Sequence, residues 1–158
     1  MTAPLIEAER MVVCPDPAST WALGRRLGSV AQAGDLICLW GELGAGKTHL
    51  AKAIGAGLGV TATITSPSYI LMAEYDGRLP LFHLDLYRLA DAADVLAGGL
   101  IDDRQSAGLT LVEWPERLAD ALPAGRLDVV IDGSGDGPRD ILLRALDGRY
   151  LRYLEAVA

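Results

Sequence analysis

Eight consecutive residues, Gly41-Glu42-Leu43-Gly44-Ala45-Gly46-Lys47-Thr48, fit the pattern G-x-x-x-x-G-K-[ST]. Glycines at those places let the backbone curl, so that successive N–H groups and the positive end of a following helix converge on one anion. Lys47 is then placed to reach the β- and γ-phosphates of a nucleoside triphosphate, and the Thr48 hydroxyl to bind Mg²⁺. A glycine-rich helix start that binds nothing would share the glycines. It would not account for the lysine: twelve of the fourteen basic residues are arginine, and one of only two lysines falls at the motif position. The guanine-reading signatures Asn-Lys-x-Asp and Thr-Lys-x-Asp do not occur, which favours ATP over GTP.

Phosphoryl chemistry on such a loop also needs a carboxylate at the end of a neighbouring strand, to hold the metal or its water. Two candidates have that form: Glu113, closing Leu109-Thr110-Leu111-Val112-Glu113, and Asp85, closing Phe82-His83-Leu84-Asp85. Either could be an ordinary surface acid at a strand end, and the spacing leaves open which one orients an attacking water. His83 and Asp85 lie two apart and so share a strand face, which suits a polar pair at the rim of a site, although a histidine bonded to structure fits His83 as well. Arg88 could neutralise phosphate charge, but an arginine just past a strand more often pairs with a local carboxylate. Thr65-Ser66-Pro67-Ser68-Tyr69 offers hydroxyls where a γ-phosphate-sensing switch commonly lies, or forms a plain proline turn. Trp114 adjoins Glu113, where its fluorescence would report on a ligand, although core packing explains a tryptophan there just as well.

The elements that must position these residues are legible in the pattern. Leu36–Trp40 is a short apolar run that reads as a buried strand, and His49–Leu58 keeps Leu50, Ile54 and Leu58 at helical spacing, so the loop joins strand to helix. Upstream, Arg10–Cys14 reads as a strand. Asp16-Pro17 caps a helix carrying Trp21, Leu23, Leu27 and Val30 on one stripe through to Gln32. Downstream, Thr61–Thr65 is β-branched, and Ile70–Tyr75 and Leu79–Leu86 flank the Asp76-Gly77 hairpin turn. Ala90–Gln105 reads as partly helical, Leu109–Glu113 as a buried strand and Glu116–Leu122 as a short helix. Leu127–Ile131 and Ile141–Ala145 form a closing strand pair, and Arg149–Val157 a terminal helix. The expected architecture is α/β with a mixed sheet, parallel around the loop and antiparallel at its hairpins, in one domain spanning 1–158.

A formal charge of −7 argues against a free-standing nucleic-acid binder. Cys14 and Cys38 are too few for a metal cluster and sit in apolar runs, as buried free thiols do. No apolar run approaches the ~20 residues needed to span a bilayer and no signal-peptide pattern opens the chain, so a cytoplasmic protein without membrane contact is expected.

Taken together, GELGAGKT at Gly41–Thr48, SPSY at Ser66–Tyr69, HLDLYR at His83–Arg88 and VEWPE at Val112–Glu116, with Thr20 and Gly24 before them, resemble the TsaE (formerly YjeE) family of small bacterial P-loop ATPases. The resemblance covers nearly the whole chain. It implies a P-loop NTPase-like three-layer fold and a weak Mg²⁺-dependent ATPase activated by TsaD and TsaB partners. It also implies a role in forming N6-threonylcarbamoyladenosine at position 37 of tRNAs that read codons beginning with A, the tRNA being met only through the complex. Carried over, Gly41, Glu42, Leu43, Gly44, Ala45, Gly46 and Lys47 hold phosphate, Thr48 and Glu113 hold Mg²⁺, and Asp85 is a catalytic or switch acid. Thr20 lines the adenine side, and Arg139 approaches from the late hairpin. Ser68 stands where the family usually has threonine, which keeps the hydroxyl. Two other readings share the loop: a small-molecule or nucleoside kinase, for which Ala90–Gln105 with its single Arg104 is a poor lid, and a non-catalytic nucleotide sensor.

Overall fold

Leu36–Trp40 (β2) and Leu109–Glu113 (β5) are apolar on both faces, and such strands must be covered on both faces. They lie side by side in parallel at the middle of a seven-stranded sheet, in a computed structural model that describes residues 6–64, 72–87 and 103–158. The other strands are β1 (Ala8–Cys14), β3 (Met72–Tyr75), β4 (Leu81–Asp85), β6 (Leu127–Asp132) and β7 (Arg139–Ala145), in the order β1-β7-β6-β2-β5-β4-β3. β6, β2, β5 and β4 run parallel, while β1, β7 and β3 add antiparallel edges. The fold is the α/β mixed sheet expected, with the Asp76-Gly77 hairpin joining β3 to β4.

Alternation along the strands sorts the core into two clusters. Ile37, Leu39, Leu109, Leu111, Val129 and Leu143 face a layer made by α1 (Pro17–Ser29), α2 (Lys47–Gly57) and α3 (Leu151–Ala156). Cys38, Phe82, Leu84 and Val112 face the other way, against Leu118 of the 3-10 segment Pro115–Ala121. Both cysteines are buried free thiols, and burial pushes each thiol above its ordinary value.

α1 starts at a capping box. Asp16 accepts from the Ser19 N–H at 2.8 Å, Ser19 Oγ accepts from the Asp16 N–H at 3.2 Å, and Pro17 occupies the first turn. Its buried stripe is Thr20, Leu23, Gly24, Leu27 and Gly28, while Trp21 and Val30 are only half-buried, so the stripe expected from apolar spacing is rotated. The cause is the approach of α2. A Cβ on Gly28 would stand 2.0 Å from the Ile54 carbonyl oxygen, and one on Gly57 would stand 2.1 Å from that of Arg25. Glycine is therefore the contact surface itself.

Other boundaries shift as well. α1 stops at Ser29 rather than Gln32, and Pro115–Ala121 is 3-10 rather than α. The terminal helix divides into a 3-10 turn at Gly148–Tyr150 followed by α3. α2 ends in a Schellman motif, with Gly59 at φ +90° and the Gly59 and Val60 N–H groups donating to the carbonyls of Ala56 and Gly55. Residues 61–64 then form no strand, because β-branched composition needs a pairing neighbour to become one. The expectations for Thr65–Tyr69, the start of the Ile70 run, Arg88 and most of Ala90–Gln105 lie outside the described residues.

Replacing Gly28 by alanine should lower stability by ~1–3 kcal/mol, since either the helices separate or a backbone carbonyl is overlapped. Chemical denaturation of the variant against the parent measures it.

Candidate functional site

β2 delivers the chain into Gly41–Gly46 at the C-terminal ends of the parallel strands, where an α/β sheet opens its crevice. Gly41 passes so close to β6 that a Cβ would sit 2.9 Å from the Ile131 carbonyl oxygen. Gly46 takes φ +103° at the N-cap of α2, and nothing lies within 4 Å of where its Cβ would be. Among the described residues no side chain caps α2 there, so its first-turn N–H groups are left to a ligand. A cradle of this shape fits a phosphate, and a side chain at Gly46 would intrude on it.

Lys47 is only 6 % exposed. Its ammonium donates to the carbonyls of Gly41 at 2.5 Å and Glu42 at 3.2 Å, and lies 3.9 Å from the centroid of the Trp114 ring. Burial draws its pKa below the ordinary lysine value, while the charges of Glu113, Glu116, Asp85 and Glu42 oppose that shift. The side chain is thus folded beneath its own loop rather than extended. Trp114 is held there by a backbone φ of +60°, the only non-glycine at positive φ among the described residues, and its ring packs on Tyr87 at 4.9 Å. A bulky residue in that region carries strain, which the ring contacts offset.

Strand register brings the two acids together. Leu39, Glu113 and Asp85 form one row across β2, β5 and β4. Glu113 is 2 % exposed, and its Oε1 accepts from the Thr48 hydroxyl at 3.2 Å. Oε2 lies 2.5 Å from His83 Nε2. His83 is wholly buried, so it does not sit at the rim with Asp85 as a shared strand face suggested. Asp85 is half-buried and accepts from the Tyr87 N–H at 3.1 Å. Lys47, Thr48, Asp85, Glu113 and Trp114 line one cavity of 320 Å³. A hydroxyl and a carboxylate oxygen at its floor are hard donors suited to Mg²⁺, which commonly keeps waters and phosphate oxygens for its remaining positions.

A second cavity, of 210 Å³, lies on the far side of Gly46, between the start of α1 and the β6–β7 turn. Thr20 and Arg139 both line it, beside Asp16, Pro17 and His49, which sequence reasoning did not single out. His49 Nε2 is 3.2 Å from the Pro17 carbonyl oxygen, and its ring packs on Trp21 at 5.5 Å. Arg139 is largely engaged with the backbone. Nε donates to the Ala45 carbonyl at 2.7 Å, and the terminal nitrogens donate to the carbonyls of Gly135 and Gly137, each at 2.7 Å. It staples the late turn to the glycine loop. The wall made by Asp16 and Pro17 was hidden because a helix cap has the same sequence signature whether or not it borders a site.

A mixed sheet with a parallel centre, a glycine loop between its central strand and the following helix, and an acid on the adjacent strand define the P-loop fold class. Within that class the chain belongs to the TsaE family: the family model described as "Threonylcarbamoyl adenosine biosynthesis protein TsaE" matches residues 14–141. The protein of that name from Bacillus subtilis is 40 % identical over 136 residues, 85 % of each chain. Its counterpart in Mycobacterium bovis is 41 % identical over 128 residues, 75 % of this chain and 76 % of that one. The crystal structure of YdiB from Bacillus subtilis superimposes with a TM-score of 0.78 at 32 % identity, covering 96 % of this chain and 94 % of its own.

If the cradle holds a nucleotide phosphate, Lys47→Ala should weaken that binding at least about 30-fold, read by isothermal titration calorimetry with ATP. Because two loop carbonyls lose their donor, the same variant should also lose ~1–3 kcal/mol of stability.

Proposed function

We propose that the chain binds ATP across the two cavities and hydrolyses it with Mg²⁺, as the nucleotide-driven subunit of a complex that makes N6-threonylcarbamoyladenosine. Membership of a family of threonylcarbamoyladenosine biosynthesis proteins supports the pathway. The observation that carries the chemistry is the convergence of the uncapped α2 N-terminus, Lys47, Thr48 and Glu113 on one cavity. In this reading the loop residues Gly41–Lys47 hold the phosphates, Thr48 and Glu113 hold Mg²⁺, and Lys47 leaves the loop carbonyls when phosphate offers a stronger partner. The metal would supply charge neutralisation at the γ-phosphate. Asp85, half-buried on the same cavity, is the acid with room to act on water. Thr20 and Arg139 would border the nucleoside side.

Weak activity of the isolated chain follows from the cation inventory. Among the described residues, Lys47 and His49 are the basic side chains on the metal-side cavity, no arginine lines it, and Arg139 is engaged by backbone carbonyls. A missing arginine finger costs ~10³–10⁵ in rate. Leu43 at 74 % exposure and Tyr87 at 45 % exposure put apolar surface at the mouth of the site, where a partner could close it. TsaD and TsaB are the partners this reading assigns, with tRNA met through them in the cytoplasm. The tRNA site would be position 37 of those reading codons that begin with A. No helix among the described residues is long and apolar enough to cross a membrane.

Purified chain incubated with ATP, Mg²⁺ and a panel of nucleosides should release free phosphate slowly and leave every nucleoside unphosphorylated. A phosphorylated nucleoside would instead identify a kinase. Glu113→Ala should abolish phosphate release while ATP binding without metal stays within about threefold of the parent, since the carboxylate contributes through the metal. If that variant still supported threonylcarbamoyladenosine formation with TsaD and TsaB, the chain would be a sensor rather than an ATPase.

A further inference from the structure

β4 turns His83 toward the helical layer, in register with Leu111 and two residues before Asp85. The imidazole is completely buried, with Nε2 2.5 Å from Glu113 Oε2 and Nδ1 without a hydrogen-bond partner among the described residues. Burying an unpaired nitrogen is costly, and an aliphatic side chain would fill the space without it. The compensating interaction is the single contact at Nε2. With Glu113 Oε2 as the acceptor, the donor of that contact is the Nε2–H tautomer of His83. The other side of the carboxylate meets α2: Thr48 Oγ1 is 3.2 Å from Oε1 and 3.4 Å from Oε2. Glu113 is thus gripped from β4 on one side and faces the first turn of the loop helix on the other.

We propose that His83 is a positioning residue for the metal site, holding Glu113 Oε2 so that Oε1 stays turned toward Thr48. The proposal rests on the Mg²⁺–ATP reading above and adds to it a residue that acts only through Glu113. Without the imidazole, Oε2 would keep only its longer, 3.4 Å contact with the Thr48 hydroxyl. The carboxylate would then turn about its own axis, and Oε1 would lose its fixed orientation toward Thr48. Partners of this kind typically change metal affinity by about 10- to 100-fold.

The test separates nucleotide affinity from its metal-dependent part. A fluorescent ADP analogue is titrated in EDTA and again in Mg²⁺, and the ratio of the two dissociation constants is the metal-dependent gain. His83→Leu should keep its EDTA affinity within about threefold of the parent, while the gain falls by about tenfold or disappears. His83→Gln, whose amide N–H can donate to Oε2, should recover the gain to within about threefold. In a Glu113→Gln background, adding His83→Leu should change the gain no further. A full gain in His83→Leu overturns the proposal, and so does an equal loss in the Leu and Gln variants, which would mean that only ring packing matters. Should His83→Leu fail to fold, His83→Asn is read in its place. Its amide is too short to reach Glu113, so the same loss is expected and a full gain overturns the proposal. Failure of the parent to bind nucleotide at all would remove the underlying functional reading, whereas normal binding with an unaltered gain in the variants rejects the role of His83 alone.

Discussion

A carboxylate buried to 2 % exposure cannot stand alone, and Glu113 is buried to that degree. Its two oxygens must find donors, and they find them on different elements: the His83 imidazole on β4 and the Thr48 hydroxyl at the start of α2. That one group therefore fixes three things together. It ties β5 to its neighbouring strand beyond the backbone ladder, it links β5 to the first turn of α2 through Thr48, and it lies in the floor of the cavity under the glycine loop. Strand register completes the arrangement, because the row Leu39–Glu113–Asp85 puts a second acid beside the first at the same strand ends.

The opposite end of the sheet is built on the contrary principle. Asp35, at the entry to β2, is 1 % exposed; it accepts from the Gln32 N–H at 2.9 Å, from Arg152 and from the Tyr153 hydroxyl, and its Oδ1 forms an ion pair with Arg149 at 3.0 Å. Burial, and then the hydrogen bond to Asp35, push the Tyr153 hydroxyl far above its ordinary pKa. Tyr150 takes the Leu36 N–H at 3.0 Å, so the C-terminal turn and α3 lock onto the beginning of the strand whose end carries the loop. One pole of β2 is pinned by ion pairs and hydrogen bonds from the C-terminal turn and helix, and the other leaves backbone donors open. Such a division suits a site that must stay open while its frame does not yield.

Between those poles, α2 can hold a loop only if it is itself held. Gly24, Gly28 and Gly57 let α1 and α2 approach until backbone meets backbone, leaving little freedom for sliding in the helix that presents Lys47 and Thr48. Arg139 adds a tie from the β6–β7 turn to the Ala45 carbonyl on the loop. The cation whose engagement is most readily exchanged is Lys47, resting on the Gly41 and Glu42 carbonyls above Trp114, where an incoming anion would compete for it.

Sequence alone determined what depends on short stretches of chain. The loop was legible because its glycines, lysine and threonine must occur at fixed spacing for one backbone turn to present them. The central strands were legible because burial on both faces demands unbroken apolar runs, and the Asp16 cap because it satisfies donors three residues away. Only the tertiary structure decided what depends on residues far apart in the chain. The pairing of His83 with Glu113 across 30 positions, the stapling of Ala45 by Arg139, and the anchoring of Asp35 by the C-terminal turn leave no periodic trace. The same holds for the resting place of Lys47 and for the failure of the β-branched run after α2 to become a strand. A local pattern encodes which conformations a segment prefers. Which distant donor reaches a buried oxygen is settled when strand register and helix approach bring the two within hydrogen-bonding distance.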